Sequence, residues 1–142
     1  MASVFVSTFP LTGDTGPDSA AYVPIPGLGA LDLSTASLGG GGVALINLYL
    51  GWGFSSESTG FNFYISIVDT ATGYTVIENG LGGTIGLNGI INVSAVYNIP
   101  ANSQPVLKAY WKILGEHGFE IFPPSTFSFT AQVFPAVAVE QQ

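Results

Sequence analysis

The chain has 142 residues and a net charge of −7, with nine carboxylates set against only two cations, Lys108 and Lys112. A typical chain of this length carries about 35 charged residues. Two cations cannot supply the phosphate contacts that nucleic acid requires or the basic patch that an anionic membrane surface attracts. A hydrophobic share of 47% and a mean hydropathy of +0.48 exclude a disordered chain. The absence of cysteine removes disulfides, thiolate nucleophiles and zinc-thiolate sites.

Met1 to Pro10 has no basic region followed by an apolar stretch, so it does not read as a secretory signal. That fits a component such as a phage protein released by lysis. Ser3 to Phe9, Ala21 to Ile25 and Ala30 to Ser34 read as short strands. Gly39 to Gly42 lacks the Gly-Lys-Ser/Thr ending of a phosphate cradle and runs into a strand, so it reads as a flexible hinge. Val43 to Phe54 is a strand with two partly apolar faces: Leu48, Leu50 and Trp52 against Leu45, Asn47 and Tyr49. The uncharged stretch from Gly39 to Phe54 is short of about 20 continuous apolar residues, so no membrane insertion is expected. A membrane barrel would repeat aromatic girdles on every strand, which this chain does not do.

Period-two alternation is clearest in four later segments. Phe61, Phe63, Ile65 and Ile67 oppose Asn62, Tyr64 and Ser66. Asp69 to Gly73 then reads as a hairpin turn, Asp bonding the turn backbone and Gly73 taking positive φ, before a strand at Tyr74 to Glu78. Gly80, Gly82, Gly83, Gly86 and Asn88-Gly89 read as an irregular bend. Ile91, Val93, Ala95 and Tyr97 oppose Asn92, Ser94 and Val96. Pro100 to Pro105 is a turn, after which Leu107, Ala109, Trp111 and Ile113 oppose Lys108, Tyr110 and Lys112. Phe119 to Phe122 is a short strand, and Pro123-Pro124 precedes the last one. There Phe127, Phe129, Ala131 and Val133 oppose Thr126, Ser128, Thr130 and Gln132. Short strands with turns every 8 to 12 residues or so point to one all-β domain over residues 1–142, an antiparallel β-sandwich. Alternation alone leaves jelly-roll and immunoglobulin-like strand orders open.

The chemistry-bearing residues match no catalytic or metal pattern. His117, the only histidine, lies in a Gly-flanked loop beside Glu116, with no Gly-x-Ser-x-Gly elbow to serve. His117, Glu116 and Glu120 do not have zinc spacing. Asp14 and Asp18 lack the remaining ligands of a calcium loop. No two of Asp32, Glu57, Asp69, Glu78, Glu116 and Glu120 have a spacing that builds a glycosidase pair. Asn92-Val93-Ser94 matches a glycosylation acceptor but falls inside a strand. A non-enzymatic protein without cofactor or metal is expected.

The positive signal is the surface. Strands apolar on both faces, such as Val43 to Phe54 and the Tyr110 and Leu114 side of Val106 to Leu114, are expected to be buried against another subunit. Trp52, Tyr64, Tyr74 and Tyr110 are candidates for an exposed aromatic platform that holds sugar rings.

The short opening strand, the aromatic-rich strand after the Pro100 to Pro105 turn and the closing strand Thr126 to Phe134 give a layout that resembles trimeric jelly-roll heads of the tumour necrosis factor and complement-head type. The resemblance implies a jelly roll whose first and last strands pair, with apolar residues of three subunits meeting along an axis. Similar heads cap phage fibres and bacterial surface filaments. The expected function is therefore a structural or attachment protein of a virion or bacterial cell-surface assembly. It would act as a homotrimer, located on a virion or extracellular surface, with a glycan or cell-surface receptor as a possible partner. The alternative is a carbohydrate-binding, lectin-like module.

Overall fold

The computed structural model describes residues 3–8, 21–25, 28–35, 39–54, 61–83, 88–115, 119–120 and 128–136. The strands are β1 (Ser3–Thr8), β2 (Val23–Pro24), β3 (Leu31–Asp32), β4 (Gly42–Phe54), β5 (Phe61–Asp69), β6 (Tyr74–Gly83), β7 (Asn88–Ile99), β8 (Val106–Gly115), β9 (Phe119–Glu120) and β10 (Ser128–Pro135). They form two five-stranded sheets. Sheet A has the order β1-β10-β4-β7 with β9 on the end of β4, and sheet B the order β2-β8-β5-β6 with β3 also on β8. Every pairing is antiparallel.

The pairings are nested about one hairpin. β5 pairs with β6 at the tip, β4 with β7 outside it, β2 and β3 with β8 next, and β1 with β10 last. A long antiparallel ribbon rolled up in this way is a jelly roll. This strand order settles the choice that alternation left open, and it pairs the first and last strands as the head-like layout implies.

The inward positions are those the alternation marks. Ile65 and Ile67 of β5, Val93 of β7, Leu107, Ala109 and Trp111 of β8, and Phe129, Ala131 and Val133 of β10 are all buried. Ile46 and Leu48 of β4 and Leu33 beside β3 complete a core shared by both sheets. Burying each of the Val, Leu, Ile and Phe side chains among them contributes roughly 1.5–3 kcal/mol, which holds the two layers together.

Three local readings differ from the structure. Ala30 to Ser34 is strand only at Leu31–Asp32, then a 3-10 turn at Leu33–Thr35. The cause is Asp32, whose carboxylate accepts the Ser34 N–H at 2.9 Å and diverts the backbone from the ladder. Gly80, Gly82 and Gly83 do not bend the chain but extend β6, pairing with Tyr64, Asn62 and Phe61; Asn88 and Gly89 likewise belong to β7. Ladder hydrogen bonds at a sheet edge outweigh the poor strand preference of glycine. Gly41 is packed, not a free hinge: its φ is +79°, and a Cβ there would lie 2.5 Å from the Ile99 carbonyl oxygen.

Gly73 in the β5–β6 turn has the same φ of +79° but nothing within 4 Å of a built Cβ. The pair separates backbone strain from steric clash. Gly73→Ala is expected to cost about 1–2 kcal/mol, the left-handed penalty alone. Gly41→Ala should cost at least about 3 kcal/mol, because the main chain of Ile99 must also move. Urea unfolding of both variants checks the ranking, and equal midpoints would contradict it.

Candidate functional site

Across β10, β4 and β7 the outer face of sheet A carries no charged residue among those described, and the one carboxylate residue in register with it is Glu120 of β9, opposite Gly53 at the far end of β4. In register across β10, β4 and β7 stand Phe134, Val43 and Asn98, then Gln132, Leu45 and Val96, then Thr130, Asn47 and Ser94, then Ser128, Tyr49 and Asn92. Its polar centre is linked by hydrogen bonds: Asn47 Nδ2 donates to Asn92 Oδ1 at 2.5 Å and to Ser94 Oγ at 2.9 Å. These two side chains are those of the Asn92-Val93-Ser94 triplet, which lies within β7. Beside that centre Leu45, Val96 and Phe134 stand 44%, 63% and 41% exposed. A solvated antiparallel face normally alternates to polar and charged side chains; along these strands this one is polar but uncharged, with three apolar side chains exposed among its amides and hydroxyls. Leu48 is not on it. The strand's even-numbered apolar residue faces the core, and its exposed one is Leu45.

Sheet B presents the opposite character. Lys108, Tyr110 and Lys112 of β8, Tyr64 and Ser66 of β5, and Glu78 of β6 occupy outward register positions. Both cations of the chain are therefore on this face. Lys112 Nζ lies 4.5 Å from the Tyr22 ring centre and 5.0 Å from that of Tyr64, and Lys108 Nζ lies 5.7 Å from that of Tyr110. These are cation–π distances. Tyr22, just before β2, donates its hydroxyl to Glu78 Oε2 at 2.7 Å, joining the two edges of the sheet across its outer surface. Burial, then the Glu78 hydrogen bond and charge, hold the Tyr22 hydroxyl above its ordinary pKa.

At one end the sandwich is clamped by a buried carboxylate. Asp69, the last residue of β5, is fully buried and accepts three hydrogen bonds, none from a cation. Oδ1 takes the N–H groups of Ala71 and Val106 at 3.1 Å each, and Oδ2 takes the Tyr97 hydroxyl at 2.7 Å. It thereby ties β5 and β8 of sheet B to β7 of sheet A, and its own carbonyl accepts Thr72 and Gly73 N–H in the turn. Burial, then the bond and charge of Asp69, push Tyr97 up to about 12 from an ordinary value near 10. The native state keeps this proton after the unfolded chain has lost it. Its stabilisation is complete below about pH 10 and is lost as pH rises toward 12. An ultraviolet absorbance titration should show that Tyr97→Phe removes one late-ionising tyrosine.

The Tyr74 ring stacks on that of Tyr97, with centroids 5.6 Å apart and planes 17° from parallel. Beside them is an open groove of about 390 Å³ lined by Thr72, Tyr74, Val96, Tyr97, Asn98 and Pro100. Among the described residues no three His, Cys, Asp or Glu side chains cluster to hold a metal ion. Asp69 is closed off from solvent and already satisfied.

The four candidate aromatics do not form one platform. Tyr64 and Tyr110 share the outer face of sheet B, whereas Tyr74 pairs with Asp69 on the opposite, inward side of the hairpin. Trp52 pairs with Gly89 at the far end of β4, its side chain outside the described residues. Asp14, Asp18, Glu57, Glu116 and His117 also lie outside them, as does the side chain of Glu120. Sequence reasoning missed Tyr22 and the Asp69–Tyr97 pair. The available signal for the pair was phase, since Asp69 continues the inward series Ile65, Ile67 and Tyr97 the inward series Val93, Ala95.

No protein-family model matches the chain, and no curated protein matches it in sequence. Its fold does match solved structures. The structure of infectious bursal disease virus Gx strain superposes with a TM-score of 0.57 at 10% identity, over 93% of this chain and 32% of that one. The infectious bursal disease virus VP2 subviral particle gives 0.54 at 14% identity, over 92% and 32%. The structure of Eiger TNF from S. frugiperda is a looser likeness, 0.48 at 11% identity over 99% of each chain. This chain spans about a third of the length of those viral chains. What it shares with them is the jelly-roll fold.

Proposed function

We propose that this chain is a non-enzymatic structural or attachment subunit of a virion, such as a phage, or of a bacterial cell-surface assembly. It acts as a homotrimer through the outer face of sheet A centred on β10 and β4, with the β7 edge left open. The observation that carries this reading is the uncharged surface of β10 and β4 with Leu45 and Phe134 exposed on it. Water-facing apolar surface of this kind is stabilised by contact with a partner, and the Asn47 amide spends both its donors within the face, on Asn92 and Ser94. The charged, tyrosine-capped face of sheet B is suited to the exterior. The likeness of the fold to chains of a virus particle supports a place in a virion, and the head-like layout with its paired first and last strands supports three copies.

A second reading, a carbohydrate-binding β-sandwich module, is supported by the exposed ring of Tyr74 in its groove. An attachment subunit combines the two. The test of the assembly is the absolute mass in solution, by light scattering on a sizing column. A species of three times 14.7 kDa is expected, and a stable monomer at low micromolar concentration would overturn the reading.

A further inference from the structure

We infer that the groove beside Tyr74 is a binding site for a neutral sugar. The inference narrows the four candidate aromatics to one and rests on the attachment reading of the function.

The groove has a fixed aromatic platform. One face of Tyr74 rests on Tyr97 at 5.6 Å, while the residue as a whole stays 57% exposed, which leaves ring surface open to a ligand. Tyr97 is itself held by its 2.7 Å hydrogen bond to the buried Asp69, so the platform is anchored from below. Little side-chain freedom remains to be lost when a ligand packs on it. A pyranose presents C–H groups on one face, which pack against an electron-rich ring, and hydroxyls around its rim. Asn98 and Thr72 are the polar residues beside the two rings of this groove, and Thr72 Oγ1 accepts the Tyr74 N–H at 3.3 Å. Pro100 supplies an apolar flank, and Val96, on the edge strand β7, borders both this groove and the outer face of sheet A.

Charge selects among ligands. None of the six lining residues is charged, and the chain carries −7, so an anionic ligand is repelled with no cation in the groove to hold it. A cationic ligand finds no carboxylate there, because Asp69 is buried behind Tyr97 and fully engaged. A volume of about 390 Å³ lies at the small end of ligand clefts, with room for about one or two sugar rings. The ligand that fits has one apolar face, a hydroxyl rim and no charge.

The experiment is saturation-transfer NMR on the full chain with methyl glycosides of galactose, glucose, mannose and N-acetylglucosamine. At least one glycoside should receive saturation on its ring protons. Tyr74→Ala should weaken that binding by about tenfold or more, the loss typical of an aromatic anchor. Asn98→Ala should weaken it less, Tyr74→Phe should retain it because the ring remains, and Tyr64→Ala should leave it unchanged. Should Tyr74→Ala fail to fold, Asn98→Ala against Tyr64→Ala decides the same question. Absence of transfer to all four glycosides overturns the inference. Binding that survives Tyr74→Ala and disappears with Tyr64→Ala also overturns it, but leaves the attachment reading in place on sheet B. The mass on the sizing column reports on the assembly separately.

Discussion

Replacing Asp69 by Ala is expected to lower the unfolding free energy by about 3–5 kcal/mol, a large part of the 5–15 kcal/mol that holds a typical domain together. The substitution leaves the buried Tyr97 hydroxyl and the partly buried Ala71 and Val106 N–H groups without their acceptor. Each unsatisfied donor costs about 1–3 kcal/mol, partly relieved where water enters the space of the lost carboxylate. Asp69→Asn is the informative companion. Its amide oxygen can keep both N–H bonds, and its NH₂ can donate to the Tyr97 oxygen, reversing that bond. A cost of about 1–2 kcal/mol is expected. Tyr97→Phe removes one donor and leaves Oδ2 without a partner, so about 1–3 kcal/mol should be lost. Urea unfolding with an unchanged slope is the measurement. If Asp69→Ala unfolds within about 0.5 kcal/mol of the parent, the carboxylate is not what joins the sheets at this end.

Leu45→Asp should dissociate the assembly while leaving the subunit folded. Leu45 stands 44% exposed at the middle of the sheet A face, between Gln132 and Val96 in register. In an isolated subunit the change exposes a carboxylate to water and costs about 1 kcal/mol or less, mainly in strand preference. In a packed interface the same carboxylate is buried without a cation, at roughly 3 kcal/mol per subunit, and the dissociation constant rises more than about a hundredfold. The mass on a sizing column should fall to 14.7 kDa. Lys112→Ala on sheet B is the control and should leave the mass unchanged. An oligomer that persists with Leu45→Asp places the interface on another surface.

The contrast between these two sites shows what can be read from the chain alone. Alternation over Phe61 to Val68, Ile91 to Tyr97, Val106 to Leu114 and Thr126 to Phe134 marked inward positions that are buried in the structure, including Trp111 and Phe129. Strand period and side-chain facing are local properties of the backbone, so four or five residues suffice to set them. The Asp69 to Gly73 turn was legible for the same reason, since Asp bonding and a positive-φ glycine act within the turn itself. The uncharged composition was legible too, because it requires no coordinates.

Leu45 and Leu48 show where that information stops. Both faces of β4 are apolar in sequence, and only packing against sheet B assigns Leu48 to the core and Leu45 to the surface. The Asp69 carboxylate looks like a turn residue until β7 brings the Tyr97 hydroxyl to it from 28 positions away in the chain. Tyr64, Tyr74 and Tyr110 are alike as sequence, yet the hairpin sends Tyr74 to the groove and the others to the lysine-bearing face. The β1–β10 pairing joins residues more than a hundred positions apart, and the nested order that makes this a jelly roll also depends on distant pairings such as Val23 with Trp111. Composition and alternation determined that this chain is an antiparallel sandwich with too few charges for an ordinary surface. Which strands pair, which apolar face is left open and which aromatics meet were decided by the tertiary structure, because those contacts depend on how distant strands pack against one another and carry no local period.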